Sequence, residues 1–223
     1  MAQAGIHGMV AQAVHRWVPG RMWLMLGIVL GSLFPDADNI LVAVATVTKQ
    51  STEGLHRTFT HSLITALILA LVFWAIGALS KKPRWTNFGA GFAIGIVLHA
   101  LLDLLIWFNG VQLFWPSPLW VNFWESVAVP AWFMTLMDPL EFLFLGLFFY
   151  MLLVLARKHQ TDTDFLHALK AWMIVELVLF IIFLPLLYTP VKIVYTVYGL
   201  LYLVSLIAAL AITVRMRATV EAV

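Results

Sequence analysis

Histidine and aspartate side chains occur in this sequence in four short segments whose spacing favours metal binding. The segments are His7, Pro35-Asp36-Ala37-Asp38, His56-Arg57-Thr58-Phe59-Thr60-His61 and His99-Ala100-Leu101-Leu102-Asp103. His99 and Asp103 are four residues apart, so on a helix both side chains lie on one face and can share an ion. Imidazole and carboxylate ligands without thiolate suit zinc, manganese or iron, and the chain contains no cysteine. These segments predict a divalent metal site.

The seven imidazole and carboxylate groups in these segments are more than one tetrahedral ion needs. We therefore expect two divalent ions, with zinc as the first choice and manganese or iron as alternatives. Paired ions can hold the attacking and the leaving oxygens of a phosphoryl group and lower the pKa of water. In the turn that starts at Pro35, one of Asp36 and Asp38 is expected to bind metal while the other caps a helix starting near Asn39.

The composition indicates what kind of element positions these residues. Hydrophobic residues make up 63% of the 223 residues and charged residues 11%, against about 45–50% and about 25% in soluble domains. So few charges cannot cover a soluble globule of this size, which excludes a soluble enzyme and indicates an integral membrane protein. The net charge is only +2 and no Lys/Arg cluster is dense enough for a nucleic-acid face, so we expect no nucleic-acid partner.

Charge-poor runs near the length of roughly 20 apolar residues that a bilayer requires mark the expected membrane helices. The runs are 58–79, 87–107, 139–156, 171–187 and 193–214. They predict an all-α fold, a polytopic transmembrane helix bundle of about five to six membrane-embedded helices.

An N-terminal helical hairpin is expected before these helices. A helix over 3–18 is ended by Pro19-Gly20, a strong turn signal, and the short apolar run 22–34 follows. Residues 1–223 are expected to form a single integral membrane domain, with the metal-site motifs in 7–118 and the C-terminal helices of 139–214 completing the bundle.

The two hairpins are expected to bring the histidines and aspartates together. Around the first turn, near residue 20, His7 lies thirteen residues back and Leu33 thirteen residues forward, which places His7 level with Asp36. Around the second turn, near residue 82, His61 and Asp103 each lie twenty-one residues away. Both hairpins therefore deliver their polar residues to the same layer of the bundle.

The basic residues predict the orientation of this layer. If the helices alternate in direction, ten of the thirteen Lys and Arg residues share one face of the membrane. The positive-inside rule makes that face cytoplasmic. We therefore expect a multi-pass protein of the cell inner membrane with its metal site toward the extracytoplasmic side.

The order of the motifs resembles the YdjM-like family, whose members are described as LexA-binding, inner-membrane-associated metal-dependent hydrolases. The motifs are His7-Gly8, Gly31-Ser32-Leu33-Phe34-Pro35-Asp36-Ala37-Asp38, His56-Arg57-x-x-Thr60-His61-Ser62, His99-x-x-x-Asp103 and Gly110-Val111-x-Leu113-x-x-Pro116. The resemblance covers about half the chain. It implies a membrane-embedded relative of zinc-dependent phospholipase C and P1-type nucleases.

Those enzymes use an early His, an Asp, a His and a His-x-x-x-Asp in the order found here. They also use a second His-x-x-x-Glu/Asp motif, which does not follow Asp103 in this sequence, and Asp138 or Glu141 is expected to supply the carboxylate instead. The metal ligands that the resemblance implies are His7, Asp36, Asp38, His61, His99, Asp103 and Asp138.

The expected function is that of a membrane-embedded metal-dependent hydrolase. It would act on a phosphoester of a phospholipid or another membrane-resident, lipid-linked substrate through a metal-activated water. Arg57 and His56 are the expected catalytic residues. The planar fork of Arg57 suits phosphate, and His56, five residues before His61, is expected to lie beside the metal ligands rather than among them. A divalent metal-ion transporter and a membrane anchor for a regulatory protein are the alternative functions.

Tryptophans are concentrated after the last metal motif. Half of the ten tryptophans are Trp107, Trp115, Trp120, Trp124 and Trp132. Such a cluster is typical of an aromatic belt at a membrane interface. Beside a metal site, the same segment could equally admit a lipid headgroup.

Overall fold

A computed structural model describes residues 3–222 and confirms the all-α fold. The helices are α1 (Ala4–Ala13), α2 (Leu24–Leu33), α3 (Asn39–Val47), α4 (Leu63–Ser80), α5 (Pro83–Ile106), α6 (Ala131–His159), α7 (Leu166–Leu186), α8 (Lys192–Arg215) and α9 (Arg217–Glu221). Short 3₁₀ turns lie between several of them, including Pro35–Asp38 and Phe59–His61. The described residues contain no strand beyond one isolated bridge between Val111 and Val121.

Five helices are long and apolar enough to cross a membrane. They are Leu63–Ser80, Pro83–Ile106, Ala131–His159, Thr163–Leu186 and Lys192–Arg215. A sixth membrane element is the pair Leu24–Leu33 and Pro35–Val47, which bends by 40° at Phe34 and forms either a broken span or a re-entrant loop. The count of five to six membrane helices agrees with the number expected from the sequence.

The described chain divides into two compact units. The N-terminal unit is His7–Ser126, and the C-terminal unit is Val127–Ala222 together with the described residues that precede His7. One integral membrane domain stays a prediction, because a compact unit of a helical bundle is not by itself an independent domain.

In the N-terminal unit, α2 packs against α5 with their backbones in close contact. Gly27 and Gly31 on α2 face Gly91 and Gly95 on α5, and both pairs have the small-xxx-small spacing of close membrane helices. A methyl group added to Gly31 would overlap the carbonyl oxygen of Phe92. This contact fixes α2 beside the part of α5 that precedes the His-x-x-x-Asp motif.

The other half of this unit is the hairpin of α4 and α5. The Ser62 hydroxyl accepts a hydrogen bond from the Ile64 backbone N–H at 3.1 Å and so caps the start of α4. Lys81 ends α4 in the left-handed region (φ 54°), and Pro83 starts α5 at the first helical position. Side chains near the start of α4 and near the end of α5 therefore lie at the same end of the hairpin.

The first helix of the C-terminal unit begins earlier than the sequence suggested. The charge-poor run 139–156 was expected to mark this helix, but α6 begins at Ala131 and contains Pro139 in its interior. Membrane helices tolerate proline because neighbouring groups satisfy the freed backbone atoms. Pro139 frees the carbonyl of Thr135, one turn earlier, and the Tyr198 hydroxyl separately donates a hydrogen bond of 2.5 Å to the Asp138 carbonyl oxygen next to the proline.

Candidate metal centre

Eight polar residues converge inside the N-terminal unit, where they form what we call the His/Asp cluster. Its members are His7, Asp36, Asp38, His56, Arg57, His61, His99 and Asp103. All except His56 are buried, and four of them expose no surface at all. The convergence expected from the two hairpins is confirmed, although His7 lies more than fifty residues from His61 and Asp103 in sequence.

Asp103 lies in contact with three histidines. Its Oδ1 is 3.2 Å from His7 Nε2, and its Oδ2 is 3.5 Å from His61 Nε2 and 3.7 Å from His99 Nε2. The rings of His7 and His99 stack with their centroids 3.8 Å apart. One carboxylate thus joins side chains from α1, from the turn before α4 and from α5.

Asp36 supplies a second carboxylate to the same cluster. Its Oδ1 is 3.7 Å from His99 Nε2, and neither of its side-chain oxygens accepts a hydrogen bond. The Asn39 side-chain amide donates to the Asp36 carbonyl oxygen at 2.9 Å, which fixes the backbone of the Pro35 turn. Asp36 therefore presents a buried charge without a hydrogen-bond donor, an arrangement that is costly unless a cation is near.

The Asp38 side chain contacts residues of the His/Asp cluster and does not cap the helix that follows it. The side chain makes no capping hydrogen bond to α3, so the expectation that one of the two aspartates caps this helix was wrong. Its carboxylate instead contacts His56 Nδ1 at 2.6 Å and accepts hydrogen bonds from the Arg57 N–H at 3.2 Å and the Thr60 hydroxyl at 2.8 Å. These donors, held close by the segment 56–60, satisfy the carboxylate in place of the helix terminus.

The ring nitrogens of His61 and His99 face each other. His99 Nδ1 lies 2.7 Å from the Ser32 carbonyl oxygen, which only accepts, so Nδ1 carries a proton, and in the neutral imidazole that metals bind Nε2 has the lone pair. The Thr60 hydroxyl donates to Asp38, so it accepts from His61 Nδ1 at 3.0 Å, and His61 Nε2 also has a lone pair. The two Nε2 atoms are 3.1 Å apart. When both rings are neutral, their two lone pairs face each other, and a cation between them would bind both.

The donor set fits a divalent metal ion. Three groups of potential ligands have their donor atoms within 4.8 Å of one another: His7, His99 and Asp103; Asp36, His61 and His99; Asp38, His56 and His61. Two nitrogen ligands of a tetrahedral zinc ion, each about 2.0–2.1 Å from it, lie roughly 3.3 Å apart, close to the separation of the two Nε2 atoms. Burial also lowers the pKa of His61, which favours the neutral imidazole that metals bind.

The comparison with protein families agrees with the membrane helices. The family model described as YdjM inner membrane protein matches residues 3–219, nearly the whole chain. This chain belongs to the YdjM inner membrane protein family. No curated protein and no solved structure gives a significant match. Multi-pass membrane localisation follows from the family and the apolar helices, whereas similarity to zinc-dependent phospholipase C and P1-type nucleases stays a prediction.

In this YdjM-family chain, Arg57 is held against the His/Asp cluster. Its backbone has a φ of 62°, in the left-handed region, and its Nη1 donates to the Asn109 carbonyl oxygen at 3.2 Å. The guanidinium carbon lies 5.3 Å from the centre of the Trp107 ring, and Nε lies 3.7 Å from Asp103 Oδ2. Arg57 is thus next to the potential metal ligands, and its buried Nε makes no hydrogen bond.

Asp138 lies in the C-terminal unit, on α6, and belongs to none of the three ligand groups found among the described residues. Glu141, the alternative carboxylate, accepts a hydrogen bond from the Ala4 N–H at 2.7 Å within the same unit. Metal binding by Asp138 stays a prediction.

The sequence reasoning missed residues that orient the ligands. The Ser32 carbonyl fixes the His99 ring, and the Ser32 hydroxyl donates to the His7 carbonyl oxygen at 3.0 Å. Such partners of a ligand set its tautomer and direction. The signal that could have found Ser32 is the Gly27-x-x-x-Gly31 spacing just before it, which indicates close packing of α2 on another helix.

Proposed function

We propose that this YdjM-family chain is a membrane-embedded metal-dependent hydrolase that acts on a phosphoester of a phospholipid or another membrane-resident substrate. The observation that carries the proposal is the approach of His61 Nε2 and His99 Nε2 to 3.1 Å beside the buried carboxylates of Asp36 and Asp103. A structural role would leave these buried groups hydrogen-bonded to one another. Instead, the side-chain oxygens of Asp36 and Asp103 accept no hydrogen bond.

Divalent metal ions would be held by His7, Asp36, Asp38, His61, His99 and Asp103. Two zinc ions are proposed, with manganese or iron as alternatives, because the ligands are imidazoles and carboxylates. When bound, such ions polarise a phosphoryl oxygen and lower the pKa of water.

The charge of the cluster supports a phosphate substrate. Its three buried carboxylates and the Arg57 guanidinium together carry a net charge of about −2. Two divalent ions would reverse this to about +2, which complements a phosphate ester and removes the cost of the buried negative charges.

Arg57 is proposed to bind the phosphate. A guanidinium presents planar pairs of donors that match phosphate oxygens, and this one is already oriented by the Asn109 carbonyl and the Trp107 ring. Because the guanidinium is fixed before substrate binds, little conformational entropy is lost in forming these contacts.

His56 is proposed to transfer a proton. Its Nδ1 donates to Asp38 Oδ1 at 2.6 Å, so its Nε2 carries the lone pair, and Nε2 makes no hydrogen bond in the structure. A histidine oriented by a carboxylate can accept a proton from the attacking water at Nε2 and return it to the leaving oxygen. The side chain is 23% exposed, the largest exposure among the histidines that contact Asp38.

The segment 107–126 supports a substrate that resides in the membrane. It is hydrogen-bonded to the chain around residues 56–63, which contains several members of the His/Asp cluster. The Arg57 carbonyl oxygen accepts from the Gln112 N–H at 3.0 Å, and the Leu63 N–H donates to the Leu113 carbonyl oxygen at 2.9 Å. Its exposed apolar side chains are Phe114, Trp115, Leu119, Trp120 and Phe123. Aromatic side chains of this kind are enriched where membrane meets water, so a lipid headgroup would lie near the cluster.

A hydrolysis screen of the purified protein with Arg57 variants tests the proposal. The wild-type protein should contain divalent metal by elemental analysis and release a phosphate-containing product from phospholipids or lipid-linked phosphates, and a chelator should abolish release. Arg57→Ala should lower turnover by about 10²- to 10³-fold at saturating metal, the scale for losing one charge-stabilising donor. Lys49→Ala, an exposed cation in the preceding loop, is the control and should leave turnover unchanged.

Metal-dependent ion flux in proteoliposomes, without hydrolysis of any phosphoester tested, would reject the enzyme and favour a transporter. Bound metal with neither flux nor hydrolysis would reject both.

The cluster is proposed to face the extracytoplasmic side. The chain has no cysteine, so single cysteines can be introduced at chosen sites. Cysteines at Ser51 and Ser117 should react with an impermeant thiol reagent in intact cells, and one at Ser80 should react only after the membrane is permeabilised. The reverse labelling pattern would place the cluster on the cytoplasmic side.

A further inference from the structure

A basic cavity lies at the turn between α4 and α5, within the N-terminal unit. Its volume is about 640 Å³, and its lining residues are Met22, Lys81, Lys82, Pro83, Arg84 and Asn87. Half of these residues are cationic and none is acidic. None of them takes part in the function proposed above.

The cations of this cavity have no carboxylate partner. Among the ion pairs of the described residues, none involves Lys81, Lys82 or Arg84. Three of the five carboxylates in the N-terminal unit lie in the His/Asp cluster, and Glu53 and Glu125 lie in the loops near that cluster. The cavity therefore has an uncompensated positive potential that attracts anions.

Packing orients Arg84, the one cation of the cavity that is not fully exposed. Its guanidinium carbon lies 4.5 Å from the centre of the Trp23 ring, and its Nε is buried without a hydrogen bond. The Asn87 side-chain amide donates to the Met22 carbonyl oxygen at 3.2 Å, which ties this part of α5 to the segment before α2. A guanidinium held over an aromatic ring keeps its edge free for bidentate contact with an anion.

We infer that this cavity binds the phosphate headgroup of an anionic phospholipid. The turn joins two membrane helices, so it lies at a boundary between hydrocarbon and water, where lipid phosphates are concentrated. The cavity also has an apolar part, formed by Met22, which is 65% exposed, and by Pro83. Basic pockets between membrane helices are a recurring form of lipid headgroup site.

The lipid site is separate from the His/Asp cluster. Pro83 and His99 are sixteen residues apart on one helix, which corresponds to about 24 Å along its axis. Lipid binding at the basic turn therefore depends neither on bound metal nor on hydrolysis.

Native mass spectrometry of the purified full-length protein tests this site with phosphatidylglycerol as the anionic probe and phosphatidylcholine as the neutral one. Phosphatidylglycerol should bind selectively. The triple variant Lys81→Gln, Lys82→Gln and Arg84→Gln should weaken its binding by about 100-fold, given the usual contribution of each basic residue near a lipid surface. The matched control is Arg157→Gln, Lys158→Gln and Lys170→Gln, which removes the same charge from the C-terminal unit and should change binding by less than about twofold.

Two further measurements keep the test decisive. The triple variant should keep the melting temperature of the wild-type protein in detergent, which shows that the fold is intact. The single variant Arg84→Lys, which keeps the charge but removes the planar fork, should weaken binding by about threefold to tenfold. Equal losses in the triple variant and its control would overturn the site, because the binding would then follow net charge alone. Displacement of the lipid by inorganic phosphate at equal concentration would overturn the assignment to a lipid.

Discussion

The two units of this chain are built from equally apolar helices, yet they differ in what they do with buried polar side chains. In the N-terminal unit, imidazoles and carboxylates from α1, the Pro35 turn, the segment before α4 and α5 meet in one cluster. In the C-terminal unit, buried polar groups do not converge on one point: the Thr213 hydroxyl donates to the Ala209 carbonyl oxygen of its own helix, Thr219 donates to Asp162, and the buried Glu176 belongs to no ligand group of the described residues. Burial alone thus does not distinguish a site; convergence of side chains that lack partners does.

The units also differ in how their helices approach each other. Glycines let the backbones of α2 and α5 touch, whereas the C-terminal unit is filled by rings, with Phe142, Phe183 and Tyr198 at centroid distances of 5.3 to 5.7 Å. Backbone contact between helices leaves little freedom for sliding or rotation. It therefore suits the unit in which a backbone carbonyl, that of Ser32, must orient a metal ligand.

The largest effect is expected for the carboxylate at the centre of the cluster. Asp103→Asn keeps the shape of the side chain but removes the charge beside His7, His61 and Arg57. Metal affinity should fall by more than about 100-fold, since even an outer partner of a ligand is worth about 10- to 100-fold. Metal content of the purified protein, measured after dialysis against defined free zinc, checks this.

The matched change in the C-terminal unit is Glu176→Gln, which removes an equally buried carboxylate that belongs to no ligand group of the described residues. It should leave metal content unchanged. If both variants lose metal to the same extent, the contrast between the units is wrong.

A smaller effect is expected from breaking the backbone contact. Gly31→Ala places a methyl group against the Phe92 carbonyl, and overpacking of this kind costs about 1–3 kcal/mol. Because Ser32 follows Gly31, metal affinity should fall together with thermal stability. Gly199→Ala on α8 meets no atom within 4 Å and should be neutral or stabilising by up to about 1 kcal/mol. Equal melting temperatures for the two variants in detergent would contradict the proposed role of the glycine contact.

The membrane fold and the members of the His/Asp cluster could be predicted from the sequence, because both follow from the positions of apolar runs and turns along the chain. Apolar runs must be helices in a membrane, and equal arm lengths around a turn must bring His61 and Asp103 level. The resemblance found in the first half of the chain is confirmed by the family match, which extends from residue 3 to residue 219.

Other features could not be read from the sequence because they depend on tertiary contacts. Asp138-Pro139 has the composition of a helix start, but the preceding residues, from Ala131 onward, continue the helix and Tyr198 contacts the backbone there. Asp38 has the composition of a helix cap, but nearby donors from Arg57 and Thr60 bind its carboxylate instead. Local propensity was overridden in both places by partners that are distant in sequence.

The smallest effect is expected for Thr60, whose hydroxyl is not itself a potential metal ligand but hydrogen-bonds two of them. Thr60 donates to Asp38 at 2.8 Å and lies 3.0 Å from His61 Nδ1, so it links a carboxylate to an imidazole and sets which ring nitrogen of His61 carries the proton. Thr60→Val keeps the shape and removes both hydrogen bonds, and metal affinity should fall by about tenfold, the lower end for losing an orienting partner.

Thr213→Val is the matched change in the C-terminal unit, where the hydroxyl only bonds the carbonyl of its own helix. It should alter stability by about 1 kcal/mol and metal affinity not at all. Competition with a zinc chelator of known affinity measures both variants. A Thr60→Val protein with unchanged affinity would show that His61 is oriented by packing alone, and the hydrogen-bond chain from Asp38 would then have no part in preparing the site.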